Sequence, residues 1–395
     1  MSSSTNYLAE RVRSFGGTIF GEMTALSLKY QSVNLGQGFP NFPCPDFMKE
    51  TAIEAIRSDY NQYARGTGSL SLVENLAEFY SPRLQRTLEG KTEIVVTVGA
   101  TEALFATCQA FLNPGDEVIL FEPFYDSYPA SVTMAGGVPV YLPLTPNAEG
   151  RWIFSEEELK KCFTSKTKLI FVNTPQNPTG KVFTQKELEL IAELCLKYDV
   201  IAVCDEVYEH ILFSGQHHIS LATLPGMWDR TLTISSAGKT FSVTGWKIGW
   251  VIAPAELVRG IQNARQWISF SVATPFQEAV ANALKLAPKA GYFEELGRFY
   301  EKKRDFLVAG LQSVGFRPFV PEGTYFIMAD CQALGVGAKD DLEFCKYLTQ
   351  HRKVTAIPPS FFYSDAHKSL AKQWARFSFC KEDATLQQAI ANLKV

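Results

Sequence analysis

Residues 235–250, SSAGKTFSVTGWKIGW, gather two lysines and a serine at fixed spacing among turn-forming glycines. Ser236, Lys239 and Lys247 are three and then eight positions apart, with Gly238 and Gly245 marking the bends. Lys239 is flanked by small residues and followed two positions on by the apolar Phe241. An amine in such a setting is partly desolvated, which lowers its pKa and frees its lone pair for imine chemistry. A hydroxyl and an ammonium nearby suit an anion such as a phosphate. The plainer alternative is a loop carrying two solvated lysines.

Other residues of chemical interest fall where apolar runs end. TEIVVTVG runs into Gly99-Ala100-Thr101 and then a helical pattern, so backbone amides, a positive helix end and the Thr101 hydroxyl can meet an anion there. The same residues are also consistent with an ordinary turn. TPQNPTG (174–180) follows LIFVN, and its Pro178 and Gly180 force a tight turn able to aim the Asn177 amide into a cleft. Asp205 ends the buried run VIAVC, a costly place for an unpaired carboxylate, so it is salt-bridged, caps a helix or serves a ligand. Arg376 stands among aromatics in WARFSFC. Either its stem packs on rings with the head in water, or its planar guanidinium clamps a carboxylate.

What positions these groups is an alternation of short β-branched runs and helical segments. Strands are expected at 92–99, DEVILFE, 167–174, 200–208 and 230–236, with capping starts at Ser155/Glu158 and Thr184/Glu187 opening two of the helices. Runs apolar throughout and separated by helices imply an α/β fold, its mostly parallel central sheet covered by helices on both faces. Open sheets of this kind bind ligands outside the carboxyl ends of their strands. A long amphipathic helix is expected at 292–315, and GTYFIMAD and WARFSFC read as strands of a smaller α+β unit. The expected division is a large domain at 46–290 and a small one from 1–45 and 291–395.

With 395 residues the chain suits a large domain plus a smaller one. Its 38 Lys+Arg against 41 Asp+Glu give no reason to expect a polyanion partner. The eight cysteines lack metal-ligand spacing and several sit in apolar runs, so they read as reduced, buried small hydrophobes, and no metal is expected. The start MSSSTNYLAERVRS has no apolar signal core and no run reaches the ~20 apolar residues of a spanning helix, which suggests a cytoplasmic protein.

Taken in order, these motifs resemble the pyridoxal-phosphate-dependent class I aminotransferases of fold type I. The branch is that of kynurenine, glutamine and methionine aminotransferases, nearest the bacterial methionine aminotransferase-like proteins. The resemblance runs from TIFGEMTALS (18–27) to the end of the chain. It implies that Lys239 bonds pyridoxal phosphate and acts as base and acid, and that Ser236, Lys247, Ala100 and Thr101 hold the phosphate. Asp205 would keep the pyridine nitrogen protonated, Asn177 and Tyr208 would reach the ring oxygen, and Tyr125 of EPFYDSY would stack on the ring. Arg376, with Asn177 and Gly38 of NLGQGFPNF, would take a substrate carboxylate. Tyr63 of NQYARGTG would reach the phosphate in a partner subunit, which implies a homodimer with shared sites and no nucleic-acid or membrane partner.

The implied reaction is ping-pong transamination between an amino acid and a 2-oxo acid. Departures bear on substrate: Phe20 stands where vertebrate kynurenine aminotransferases have tryptophan, and Ser271 where they have histidine. Phe20, Tyr63, Tyr125, Phe270 and Phe362 suggest an apolar pocket for methionine, glutamine, phenylalanine or kynurenine. β-Elimination of cysteine S-conjugates on the same scaffold is an alternative. A more remote one is an aminotransferase-like ligand-sensing module of a regulator.

Overall fold

A computed structural model describes residues 7–13, 15–213 and 215–394, so the opening residues 1–6 lie outside it. A seven-stranded sheet organises the chain: β1 Ile94–Val98, β2 Glu117–Glu122, β3 Val138–Pro143, β4 Thr167–Asn173, β5 Ile201–Asp205, β6 Thr231–Ser236 and β7 Ile248–Ile252. Their spatial order is β1-β7-β6-β5-β4-β2-β3. Every pairing is parallel except those of β7, which runs antiparallel to both neighbours. The mostly parallel sheet is therefore present, with one reversed strand added.

Side chains alternate between the two faces of these strands. Val118, Leu120, Leu169, Phe171 and Val203 pack with Ala103 and Val258, from helices Gly99–Phe111 and Ala255–Arg265. Ile119, Phe121, Ile170, Val172 and Cys204 pack the other way, with Leu188 and Ile191 of helix Gln185–Tyr198. That helix opens with the full capping box expected at Thr184 and Glu187, whereas Ser155 accepts only from the Glu158 amide. All eight cysteines are free, and six are buried.

Two strands of this sheet were not legible in the sequence. β3, VPVYLP, contains two prolines and sits at the sheet edge, where a missing N–H costs no ladder bond. β7 begins inside the lysine segment. Its Gly249 allows it to form there, because a Cβ at that position would lie 2.5 Å from the Gly99 carbonyl carbon. Strand β7 and the start of helix Gly99–Phe111 are thus pressed together.

A smaller antiparallel sheet holds β8 Arg317–Phe319, β9 Phe326–Asp330 and β10 Trp374–Ser378, in that order. Its core joins Leu307 and Leu311 of helix Tyr292–Ser313 to Leu386 of helix Asp383–Lys394. Ile19 and Met23 of helix Ile19–Tyr30 enter the same core, and Val33–Asn34 pairs in parallel with Val354–Thr355. Among the described residues no helix is long and apolar enough to cross a membrane.

Candidate active site

The parallel strands end on one edge, and β7, being reversed, begins there. Asn173, Asp205, Ser236 and Lys247 are brought to that edge from four different strands. A cavity of about 350 Å3 opens beside it. Its lining includes Phe20, Gly38, Ala100, Thr101, Tyr125, Asn177, Asp205, Tyr208, Ser236, Lys239, Lys247 and Arg376. Residues more than 350 positions apart are thereby gathered into one chamber.

One end of the chamber is built for an anion. Helix Gly99–Phe111 presents its amide end there, and Gly99 takes a left-handed φ of 69°. A Cβ at Gly99 would lie 2.9 Å from the Lys247 Nζ, so the absent side chain is what lets the ammonium approach the turn. Lys247 is itself left-handed (φ 55°), which sends its side chain back toward the turn as β7 starts. Ser236 adds a hydroxyl at the start of the short helix Ala237–Thr240 that carries Lys239.

In the middle lie Asp205 and Lys239. The Asp205 carboxylate accepts from the Tyr128 hydroxyl at 2.6 Å and from the Val207 amide at 3.3 Å. Burial pushes its pKa up to about 6, while those two donors favour the charged form, so it is ionised at neutral pH. The Lys239 amine stands 5.8 Å from the Tyr208 ring centre and 5.9 Å from that of Tyr325. Burial, with Lys247 and Arg376 opposing the charge and Asp205 favouring it, brings its pKa down to about 8. An appreciable neutral fraction is thus present near physiological pH.

At the far end, β10 supplies Arg376, whose side chain is almost wholly buried. It donates through one terminal nitrogen to the Gly36 carbonyl at 2.7 Å and through the other to Asn177 Oδ1 at 3.3 Å. Among the described residues its Nε has no partner, although it is buried. The rings of Phe326, Phe20 and Phe362 face the guanidinium at 4.3, 5.1 and 5.1 Å. Gly38 is fixed by the Tyr325 hydroxyl, which donates to its carbonyl at 2.7 Å, and a Cβ there would strike the Phe326 ring at 2.6 Å.

Phe362, also expected in the pocket, is buried behind Phe20 and Arg376 rather than lining the cavity, and the structure does not bring Tyr63 and Phe270 into the cavity of their own chain. Both lie on the surface, 82% and 55% exposed, with ring centres 5.3 Å apart. Phe270 sits in left-handed backbone (φ 63°), its carbonyl held by the Arg265 guanidinium at 3.1 Å. Ser271 donates to the Ala64 carbonyl at 3.3 Å rather than lining the chamber. Conversely, sequence reasoning passed over Gln37, Tyr128, Asn173 and Phe326, which do line it. Gln37 and Tyr128 lie inside motifs already noted, so their positions were visible although their contacts were not.

Pyridoxal phosphate fits this donor set. The glycine-made cradle with Lys247, Ser236 and Thr101 suits its phosphate, the buried Asp205 carboxylate its pyridinium, and the depressed Lys239 amine its aldehyde. The only other cluster of candidate metal ligands among the described residues is Glu206, Glu209 and His218, within 4.8 Å of one another. Both Glu206 oxygens are already taken, by Ser220 and by His218 itself, and one Glu209 oxygen accepts from Tyr80 and Ser235.

Comparison with known proteins agrees. The family profile "Aminotransferase class I and II" matches residues 30–393. A kynurenine–oxoglutarate transaminase of Dictyostelium discoideum is 45% identical, with 98% of this chain and 95% of that protein aligned. N-succinyldiaminopimelate aminotransferase of Mycobacterium tuberculosis superposes with a TM-score of 0.93 at 41% identity, covering 98% of this chain and 99% of that one. YbdL of Escherichia coli, described as having a methionine aminotransferase function, does so at 0.92 and 36%, with 98% and 99% covered. A fold, a cavity and a sequence that agree over nearly the full length make this chain a member of the class I and II aminotransferases, enzymes that transaminate with pyridoxal phosphate.

Proposed function

We propose that the chain transaminates apolar and aromatic L-amino acids, of the methionine, glutamine, phenylalanine or kynurenine type, with a 2-oxo acid acceptor in a ping-pong scheme. The neighbours' names span several donors, so likeness alone does not choose among them. The observation that carries the choice is the surroundings of Arg376: three aromatic rings face it, and it is the one arginine among the residues lining the cavity. A single guanidinium serves one carboxylate, and a second acid group on the substrate would meet rings rather than a cation.

When bound, pyridoxal phosphate supplies an aldehyde for reversible bonding to amines and a ring that withdraws electrons from the adjacent carbon. In the proposed assignment Lys247, Ser236, Thr101 and the Ala100 amide bind the phosphate. Asp205, steadied by Tyr128, faces the ring nitrogen, Tyr125 lies against the ring, and Asn177 and Tyr208 donate to its oxygen. Arg376 and the Gly38 backbone hold the substrate α-carboxylate and so fix which Cα bond faces Lys239. The Lys239 Nζ takes the Cα proton and returns it. Phe20 receives the side chain, with Phe362 packed behind it.

The exposed Tyr63, Trp267 and Phe270 support a homodimer in which Tyr63 completes the partner's phosphate site. The test is a panel of amino acids followed by the absorbance change of the cofactor in the half-reaction. Methionine, phenylalanine and kynurenine convert; efficient turnover of aspartate would refute the single-carboxylate pocket. Parallel double-reciprocal plots check the ping-pong scheme.

A further inference from the structure

Phe362 belongs to a segment that the active-site motifs do not include, yet its ring packs directly behind Phe20 and Arg376, two residues that line the cavity. The ring is buried, 5.9 Å from that of Phe20 and 5.1 Å from the guanidinium. The segment around it, Pro359–Phe362 and the residues up to the turn at Lys368–Ala371, leaves the small sheet's neighbourhood and crosses to the large sheet. Its main chain is held at consecutive points along that crossing. The Ser360 amide donates to the buried Asp341 carboxylate at 2.6 Å, and the Phe362 carbonyl accepts from the Phe124 amide at 2.8 Å. The next anchor is Glu122, the last residue of β2, whose side chain is fully buried. One of its oxygens accepts from the Ser364 amide, and the other faces His367 Nδ1 at hydrogen-bond distance.

A buried carboxylate at the end of a parallel strand is expensive unless it is paired and hydrogen-bonded. Among the described residues, the partners of the Glu122 carboxylate all come from the crossing segment. Three residues beyond Glu122 the same stretch carries Tyr125 into the cavity. The pair therefore ties the ring that backs Phe20 and Arg376 to the stretch that carries the cofactor-facing tyrosine.

We infer that Glu122 and His367 form a latch that positions Phe362, so that the latch determines how well large apolar side chains bind without touching the reacting atoms. This rests on the cavity being the amino-acid site proposed above. His367 is one-third exposed, so replacing it leaves no hole in the core.

The experiment compares the holoenzyme with His367→Ala, His367→Asn and Glu122→Gln variants, measuring KM and kcat for methionine and for alanine, with thermal melts alongside. Losing the charge-assisted contact raises the methionine KM about tenfold, with kcat within about twofold of wild type. Alanine, whose methyl group is too short to press on the Phe20 ring that Phe362 supports, keeps its KM. His367→Asn, which retains a donor near the Nδ1 position, recovers most of the loss. Equal changes for both donors, or melting shifts with no kinetic change, would overturn the latch and leave a merely structural pair. A wild-type enzyme inactive on both donors would instead take down the amino-acid reading, and the latch with it. A Glu122→Gln variant that fails to fold leaves the decision to the His367 pair.

Discussion

Asp205 and Glu206 are adjacent in the chain and both buried, yet they belong to opposite kinds of place. Glu206 turns away from the cavity into a closed network, where Ser220 donates to one oxygen and His218 meets the other, each at 2.8 Å. Glu209 beside it accepts from the Tyr80 hydroxyl at 2.5 Å and from Ser235 at 2.7 Å. Asp205 faces a chamber in which Lys239, Lys247 and Arg376 converge. In the first region the protein's own side chains answer both Glu206 oxygens and one of Glu209, and such contacts stabilise. The second holds cations set around open space, and such an arrangement awaits an anionic ligand. Burial alone does not separate the two; what the partners are does.

The sharpest way to break the contrast is to remove one group from the open region. Lys239→Ala loses transamination by roughly 10^3-fold or more, because no other amine is placed to move the proton. A purified variant with wild-type turnover would sink the assignment. Arg376→Lys keeps the charge but loses the planar fork, and raises the donor KM on the order of 100-fold, equivalent to about 2.7 kcal/mol. Steady-state kinetics with methionine reads this directly.

The closed region answers differently. Burial is the largest single influence and opposes the His218 imidazolium, but Glu206 and Glu209 together outweigh it and the net pKa is raised. A group whose pKa is higher folded than unfolded adds stability that is full below the unfolded value, about 6.5, and is lost as pH rises through the folded one. His218→Asn therefore lowers stability by about 1–3 kcal/mol at pH 6 and flattens the fall in melting temperature above it. Its KM values stay at wild type. A variant that lost substrate affinity while keeping its melting profile would merge the two regions.

The contrast also marks how far the sequence could be read. Local pattern sufficed for most strands, since runs such as TKLIFVN and IAVCD are apolar on both faces and need no distant partner to be recognised. It sufficed for the residues of the open region too, because turns and strand ends announce themselves through glycine, proline and a misplaced charge. It failed where a contact across the chain decides the outcome. Tyr128 gains its function from Asp205, 77 residues away, and β7 forms because Gly249 admits Gly99. Phe270 was expected in the pocket, and within its own chain it lies at the surface, its backbone left-handed and its carbonyl bonded by Arg265. Aromatic character says that a side chain wants a partner, not which one.

Tyr128 offers the smallest and most discriminating effect, because it stands at the boundary between the two regions. Its hydroxyl answers Asp205 as Ser220 answers Glu206, but on the cavity side. Burial raises the Asp205 pKa to about 6, and the Tyr128 hydrogen bond works against that rise. Tyr128→Phe removes a donor that favours the carboxylate, so the Asp205 pKa moves further up. The carboxylate is then partly protonated where the wild type is still ionised, and activity falls at pH 6–7 by a few-fold. It returns as pH rises to 8, where both proteins carry a charged Asp205. A pH–rate profile that shifts its acid limb upward while the alkaline limb stays in place is the expected record. A uniform loss at all pH values would mean that Tyr128 only packs, and that Asp205 is answered by the backbone alone.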